Sequence, residues 1–168
     1  GQPGPVHLNL PFREPLIPTG DEEAADARET RLPYVSISEA PRRPIPAELA
    51  PLAAELSARS RGLIVCGPQD DPDFPAAVAQ LAEELDFPIL ADPLSQVRCG
   101  PHHRPRVIDS YDAFLRDEAT ARRLTPEVVL RFGATPTSRP LMRYLQRHAC
   151  CRQLLVDGGD GWNDPGLV

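Results

Sequence analysis

The residues here whose chemistry could be put to use are mainly arginines at turns. All 18 basic residues are Arg, with no Lys anywhere in the chain. In RFGATPTSRPL, residues 131–141, Thr137 or Ser138 suits a helix N-cap and Pro140 suits the first helical turn. Arg139 then falls in that first turn, where the helix dipole is already positive. A cation there breaks a local electrostatic rule. Beside free backbone N–H groups, it also makes a site for a carboxylate or a phosphate. Ser138 and Arg139 are therefore the expected anion-binding residues. A second basic loop, RCGPHHRPR at residues 98–106, offers Arg98, Arg104 and Arg106 as another anion site, with Arg98 nearest the preceding apolar run. Arg143, Arg147, Arg116, Arg122 and Arg123 read as solvated helix faces.

Other chemistries find less support. His102 and His103 lie close to Cys99, but no fourth ligand follows at a usual zinc spacing, so no metal is expected. The four cysteines, Cys66, Cys99, Cys150 and Cys151, form no C-x-x-C pair and read as reduced thiols, Cys66 as a buried small hydrophobe. No Ser-His-Asp, Cys-His or paired-carboxylate arrangement can be placed from spacing, so no catalytic residue is assigned. In GGDG, residues 158–161, Gly159 and Gly161 fit G-x-G, but the third glycine position holds Asp164, and the stretch reads as a turn. The turn CGPQDD at residues 66–71 is too poor in glycine to hold a pyrophosphate closely. His7 reads as structural.

The elements that would position these residues follow a clear alternation. GLIVCG (62–67), FPILAD (87–92), PEVVLRFG (126–133) and QLLVDGG (153–159) are short, continuously apolar runs of strand length. Helical stretches precede and separate them: residues 46–60, 71–86, a run starting near Asp109 or Ser110 and extending to 124, and 138–149. Pro51 must fall in the first turns of its helix or kink it. Continuous apolar strands alternating with helices specify a parallel sheet covered on both faces. The expected fold from residue 46 onward is a doubly wound, Rossmann-like α/β domain. The turns after the strands then lie along the carboxyl edge of the sheet, where such folds bind ligands.

Composition sets the outer bounds. The chain has 168 residues and a net charge of −6, which argues against a general nucleic-acid binder. No apolar run approaches the roughly 20 residues of a membrane span, and a cytoplasmic location is expected. Proline is abundant, 21 residues, and much of it punctuates the first third. There PVHLNL, residues 5–10, reads as a short strand. Residues 11–45 read as a long connector of the kind that crosses between domains. The stretch VDGGDGWNDPGLV ends in a glycine turn with no helix after it, so the whole reads as an internal piece of a larger protein.

The opening GPVHLNLPFREPL, with GLIVCG, PILADPLSQVR, VIDSYDAFLR, LRFGATPTSRPL and the VD preceding GWNDP, resembles the MenD family. Its members are the thiamine-diphosphate-dependent 2-succinyl-5-enolpyruvyl-6-hydroxy-3-cyclohexene-1-carboxylate synthases of menaquinone biosynthesis. The resemblance implies a three-domain parent, with pyrimidine-binding, middle and diphosphate-binding domains. Residues 1–16 would be the tail strand of the first domain and the start of the linker, 17–45 the interdomain linker, and 46–168 the middle domain. It implies that the parent, a homo-oligomer, decarboxylates 2-oxoglutarate and adds the resulting enamine to isochorismate. Thiamine diphosphate and magnesium would be held by domains outside this chain, leaving this piece inactive alone. The family's basic side chain in the TSK or SK turn maps onto Arg139, with Ser138 before it, so Arg replaces Lys in the contact with a substrate carboxylate. Two alternatives accompany this reading. One is a regulatory module that binds a downstream naphthoate acid through Arg98, Arg104 and Arg106. The other is a middle domain that binds FAD or another nucleotide, as in related enzymes, against which the missing glycine loop argues.

Overall fold

The structure, a computed structural model, describes residues 7–14, 43–158 and Asp164. The chain divides into two units, Gly1–Arg42 and Arg43–Val168.

Of the first unit, residues 7–14 are described, and they form neither helix nor strand. The expected strand at 5–10 is therefore absent over its described part, residues 7–10. An extended segment becomes a strand only when an edge pairs with it, and every strand of the sheet lies between residues 62 and 156. Leu8, Leu10 and Phe12 are exposed.

The second unit is built on five parallel strands: β1 (Gly62–Cys66), β2 (Ile89–Ala91), β3 (Val107–Ile108), β4 (Val128–Phe132) and β5 (Arg152–Val156). They lie in the order β3-β2-β1-β4-β5. The sheet runs outward both ways from β1, and this is the doubly wound arrangement expected. β1 and β4 pair along their full length, from Gly62 opposite Val128 to Cys66 opposite Phe132. Both are buried along nearly every residue, which explains why they are apolar apart from Arg131 of β4.

Among the described residues five α-helices cover the sheet: α1 (Pro46–Ser57), α2 (Phe74–Leu85), α3 (Tyr111–Leu115), α4 (Glu118–Arg123) and α5 (Arg139–Arg147). Side chains alternate along the strands, and the core therefore forms two layers. Ile64, Cys66, Ile89, Val128 and Leu130 pack with Leu56 of α1 and with Val78 and Ala82 of α2. Leu63, Val65, Leu90 and Val129 pack with Tyr111, Leu115, Ala121, Leu141, Tyr144 and Leu145 on the opposite face.

Two details differ from expectation, while Pro51 falls in the first turns of its helix as expected. β3 is a two-residue edge strand with no sequence signal of its own; it forms because Val107 and Ile108 pair with Ile89 and Leu90. The helical run after Ser110 is two helices, because Asp117 caps a new one, its carboxylate accepting the N–H of Thr120 at 2.7 Å. Pro51 lies in the second turn of α1, and the helix continues past it.

Candidate functional site

A cavity of about 360 Å³ opens at the carboxyl edge of the sheet. Each strand of its floor contributes through the turn that follows it. Pro68 comes from the turn after β1, and Asp92 and Leu94 from the turn after β2. Tyr111 and Asp112 come from the start of α3, and Thr137 and Ser138 from the turn after β4. Arg98 completes the wall.

The β4–α5 turn is closely held. Gly133 has φ +69°, a conformation natural to glycine, and its N–H donates to the Val156 carbonyl at 3.0 Å. The neighbouring β1–α2 turn packs directly on it: a Cβ added at Gly67 would sit 1.6 Å from the carbonyl oxygen of Ala134. On the other side lies Arg131, whose side chain is 4% exposed. Its two terminal nitrogens donate to the two carboxylate oxygens of Asp164, each at 3.0 Å, and Nη2 also donates to Thr135 Oγ1 at 2.7 Å. Sequence reasoning missed this pair. The available signal was a single Arg inside the apolar run VVLRF; its partner lies 33 residues on, beyond any local pattern.

Of the two expected candidates, Thr137 and Ser138, it is Ser138 that caps α5. Its Oγ accepts the Leu141 N–H at 3.2 Å and donates its proton to Asp112 Oδ1 at 2.6 Å. Arg116 holds the other oxygen of Asp112 with Nε at 2.9 Å and Nη2 at 2.8 Å. Together these bonds, that from Ser138 foremost, hold the Asp112 carboxyl below its ordinary range. The single hydroxyl proton of Ser138 is thus committed within the fold, and the residue fixes the helix start instead of offering a donor to a ligand.

Arg139 follows at the first helical position. It is exposed, and among the described residues its guanidinium has no hydrogen-bond or ion-pair partner. The free backbone donors expected around it are fewer than the sequence suggested. Pro140 has no N–H, and the Leu141 N–H is taken by Ser138. What the helix start offers an anion is chiefly the Arg139 side chain.

The three arginines of the 98–106 loop do not converge. Arg98 spends Nε on the Ala91 carbonyl at 2.8 Å and lies against the Tyr111 hydroxyl, on the cavity wall. Burial, then the nearby Asp92 carboxylate, raises the Tyr111 pKa. Arg104 donates to the Arg98 carbonyl at 2.8 Å. Arg106 pairs with Asp86, and its carbonyl accepts from Ile89 at the opposite, amino-terminal edge. A single anion site built from all three is not what the fold assembles; Arg98 alone lines the cavity. Near it, His102 bonds the Val97 carbonyl and His103 faces Glu83. No group of three metal-ligating side chains occurs among the described residues. No described helix is long and apolar enough to cross a membrane.

A doubly wound sheet with a cavity at the carboxyl edge defines the class to which comparison also leads. A family model described as "Middle domain of thiamine pyrophosphate" matches residues 30–167, and the chain belongs to this family of thiamine-pyrophosphate-enzyme middle domains. It is similar over nearly all its length to proteins named 2-succinyl-5-enolpyruvyl-6-hydroxy-3-cyclohexene-1-carboxylate synthase. The Geobacillus thermodenitrificans protein is 55% identical over 165 residues, 98% of this chain. Those of Chloroflexus aurantiacus and Bacillus pumilus are 53% and 41% identical, over 96% and 98% of this chain. The chain spans 27–28% of the length of these relatives.

Proposed function

We propose that this chain is the middle domain of a thiamine-diphosphate-dependent synthase of menaquinone biosynthesis, a cytoplasmic enzyme that decarboxylates 2-oxoglutarate and joins the product to isochorismate. In that reading residues 1–16 belong to a preceding pyrimidine-binding domain, 17–45 to the linker and 46–168 to the middle domain. The remaining length of the relatives supplies the diphosphate-binding domain and the contacts of a homo-oligomer.

The residues of this chain do not suit the cofactor itself. The turn after β1 would be the place for a diphosphate, yet Gly67 is closed against Ala134, leaving no open cradle of N–H groups. Thiamine diphosphate and magnesium belong, in this reading, to the flanking domains. The contribution of this domain is a carboxylate contact. The observation that carries it is Arg139, whose guanidinium has no partner among the described residues, on a helix start that is itself fixed by Ser138 and Asp112. An Arg carried on a fixed helix start binds a carboxylate with two parallel hydrogen bonds, the ordering cost being confined to its own side chain.

In the full-length enzyme, Arg139→Ala is expected to raise KM for isochorismate or 2-oxoglutarate about 10- to 100-fold, the range of a lost charge-assisted contact. Arg139→Lys should recover part of the loss. Unchanged kinetics in Arg139→Ala would remove Arg139 from the substrate site.

A second reading concerns the cavity beside it. With Arg98 and Thr137 on its wall, it suits a small aromatic acid such as a naphthoate acting as a regulator. Calorimetry of the full-length enzyme with a naphthoate acid tests this. Saturable heat lost in Arg98→Ala supports it, and no heat at millimolar ligand overturns it.

A further inference from the structure

The Arg131–Asp164 pair is unusual in its setting. Arg131 stands on β4 in a strand otherwise made of Val, Leu and Phe. Its side chain and that of Asp164 are 4% and 2% exposed. A buried ion pair is seldom more stabilising than well-packed apolar residues in its place. What such a pair fixes well is an arrangement, because a bidentate Arg–carboxylate contact tolerates little displacement. Here the same guanidinium also reaches the turn leading to α5, through Thr135 Oγ1 at 2.7 Å. Thr135 is four residues before Arg139.

The rest of that turn is held from other directions. The β1–α2 turn packs against Ala134 at Gly67 and against Gly133 through Pro68, whose carbonyl would lie 2.5 Å from an added Cβ. Asp112 holds Ser138. Arg131 supplies a hold on Thr135, on the stretch between these anchors.

We propose that Arg131 and Asp164 are a positioning pair: Asp164 fixes the Arg131 guanidinium, which pins Thr135 and so sets the turn from which Arg139 projects. This rests on the reading of Arg139 as a substrate-carboxylate contact. Neither residue touches substrate; both act through the turn. In consequence Asp164 and the substrate-facing turn are coupled through the Arg131 guanidinium.

The test uses the full-length enzyme. Asp164→Asn alone would strand a buried guanidinium, so the main variant is the double substitution Arg131→Met with Asp164→Leu, which removes both charges. A second variant, Thr135→Val, removes only the hydroxyl and keeps the test open should the double variant fail to fold. In each folded variant, amide hydrogen exchange at Ala134, Thr135, Thr137 and Ser138 is expected to quicken at least about tenfold, while amides of Leu63, Ile64 and Val65 stay protected. KM for the carboxylate substrate should rise about three- to tenfold with kcat within about twofold. A variant with both residues restored should return both readings.

Unchanged exchange in the turn overturns the proposal. So does unchanged KM where exchange has quickened and Arg139→Ala has itself raised KM. If exchange quickens while Arg139→Ala leaves KM untouched, the pair does position the turn, and it is the role of Arg139 that falls.

Discussion

Ser138 and Asp112 are joined by a 2.6 Å hydrogen bond from the serine hydroxyl to Oδ1, and this contact ties the start of α5 to α3 across 26 residues of sequence. The same hydroxyl oxygen caps α5 by accepting the Leu141 N–H. Arg116 holds the far oxygen of Asp112. A line of hydrogen bonds thus runs from Arg116 through Asp112 and Ser138 into the first turn of the helix that carries Arg139.

Ser138→Ala removes the cap and the cross-helix bond together. The expected cost is about 1–2 kcal/mol in denaturant unfolding, with Ser138→Thr retaining most of the stability. Asp112 is 40% exposed, so solvent screens its share, and the coupling in a Ser138→Ala, Asp112→Ala double-mutant cycle should be about 0.5 kcal/mol. A loss below about 0.3 kcal/mol for Ser138→Ala would mean the cap contributes nothing.

The same line predicts an acid limb. The hydroxyl of Ser138, first, and the guanidinium of Arg116, second, hold the folded pKa of Asp112 below its ordinary value. A carboxyl depressed on folding adds stability above its unfolded pKa and loses it as pH falls through the folded one. The melting-temperature gap between the wild-type chain and Asp112→Asn should therefore be full at neutral pH and close as pH drops below about 4. A gap independent of pH would show that Asp112 acts without its charge.

Much of this arrangement can be read from the sequence. β1, β2 and β4 announce themselves because a strand buried on both faces is apolar nearly throughout, as GLIVC is and as VVLRF is apart from Arg131; β5, RQLLV, is only half buried and shows itself by its LLV run. The cap at Ser138 is legible because only a few side chains satisfy a helix N-terminus. What escaped has a physical reason in each case. Val107–Ile108 is a strand only by virtue of pairing with β2. The break between α3 and α4 hangs on the Asp117 carboxylate, which local helical composition outweighs. Arg131 and Asp164 meet through the fold alone. The loop arginines looked like a group because they are near in sequence, yet Arg98 and Arg106 stand at opposite edges of the sheet, one following β2 and the other beside its first residue.

Two glycines separate a packing requirement from a turn without one. A Cβ at Gly67 would fall 1.6 Å from the Ala134 carbonyl oxygen, while one at Gly158 would meet nothing within 4 Å among the described residues. Backbone cannot swing aside as a side chain can, so Gly67→Ala should cost at least about 2 kcal/mol. Gly158→Ala should stay within about 0.5 kcal/mol. Chemical denaturation of the two variants checks this, and equal stabilities would mean that the turns after β1 and β4 separate at little cost.

Thiol reactivity offers a probe of the sheet that needs no substitution. Cys99 and Cys150 are exposed, whereas Cys66 is buried at the end of the central strand β1. Burial pushes the Cys66 thiol up to about 12, and the thiolate is the reactive form. Burial also raises the Cys151 thiol, though this residue is only partly covered. At pH 8 a disulfide reagent should therefore modify Cys99 and Cys150 first, Cys151 more slowly, and Cys66 only when β1 parts from its neighbours. Because Cys66 pairs in register with both Ala91 and Phe132, its modification rate reports the opening of the sheet centre. Added denaturant should raise the Cys66 rate steeply and leave the Cys99 rate nearly flat. Modification of Cys66 as fast as Cys99 in the absence of denaturant would mean that the sheet opens freely at β1, which would contradict the closed packing seen at its core.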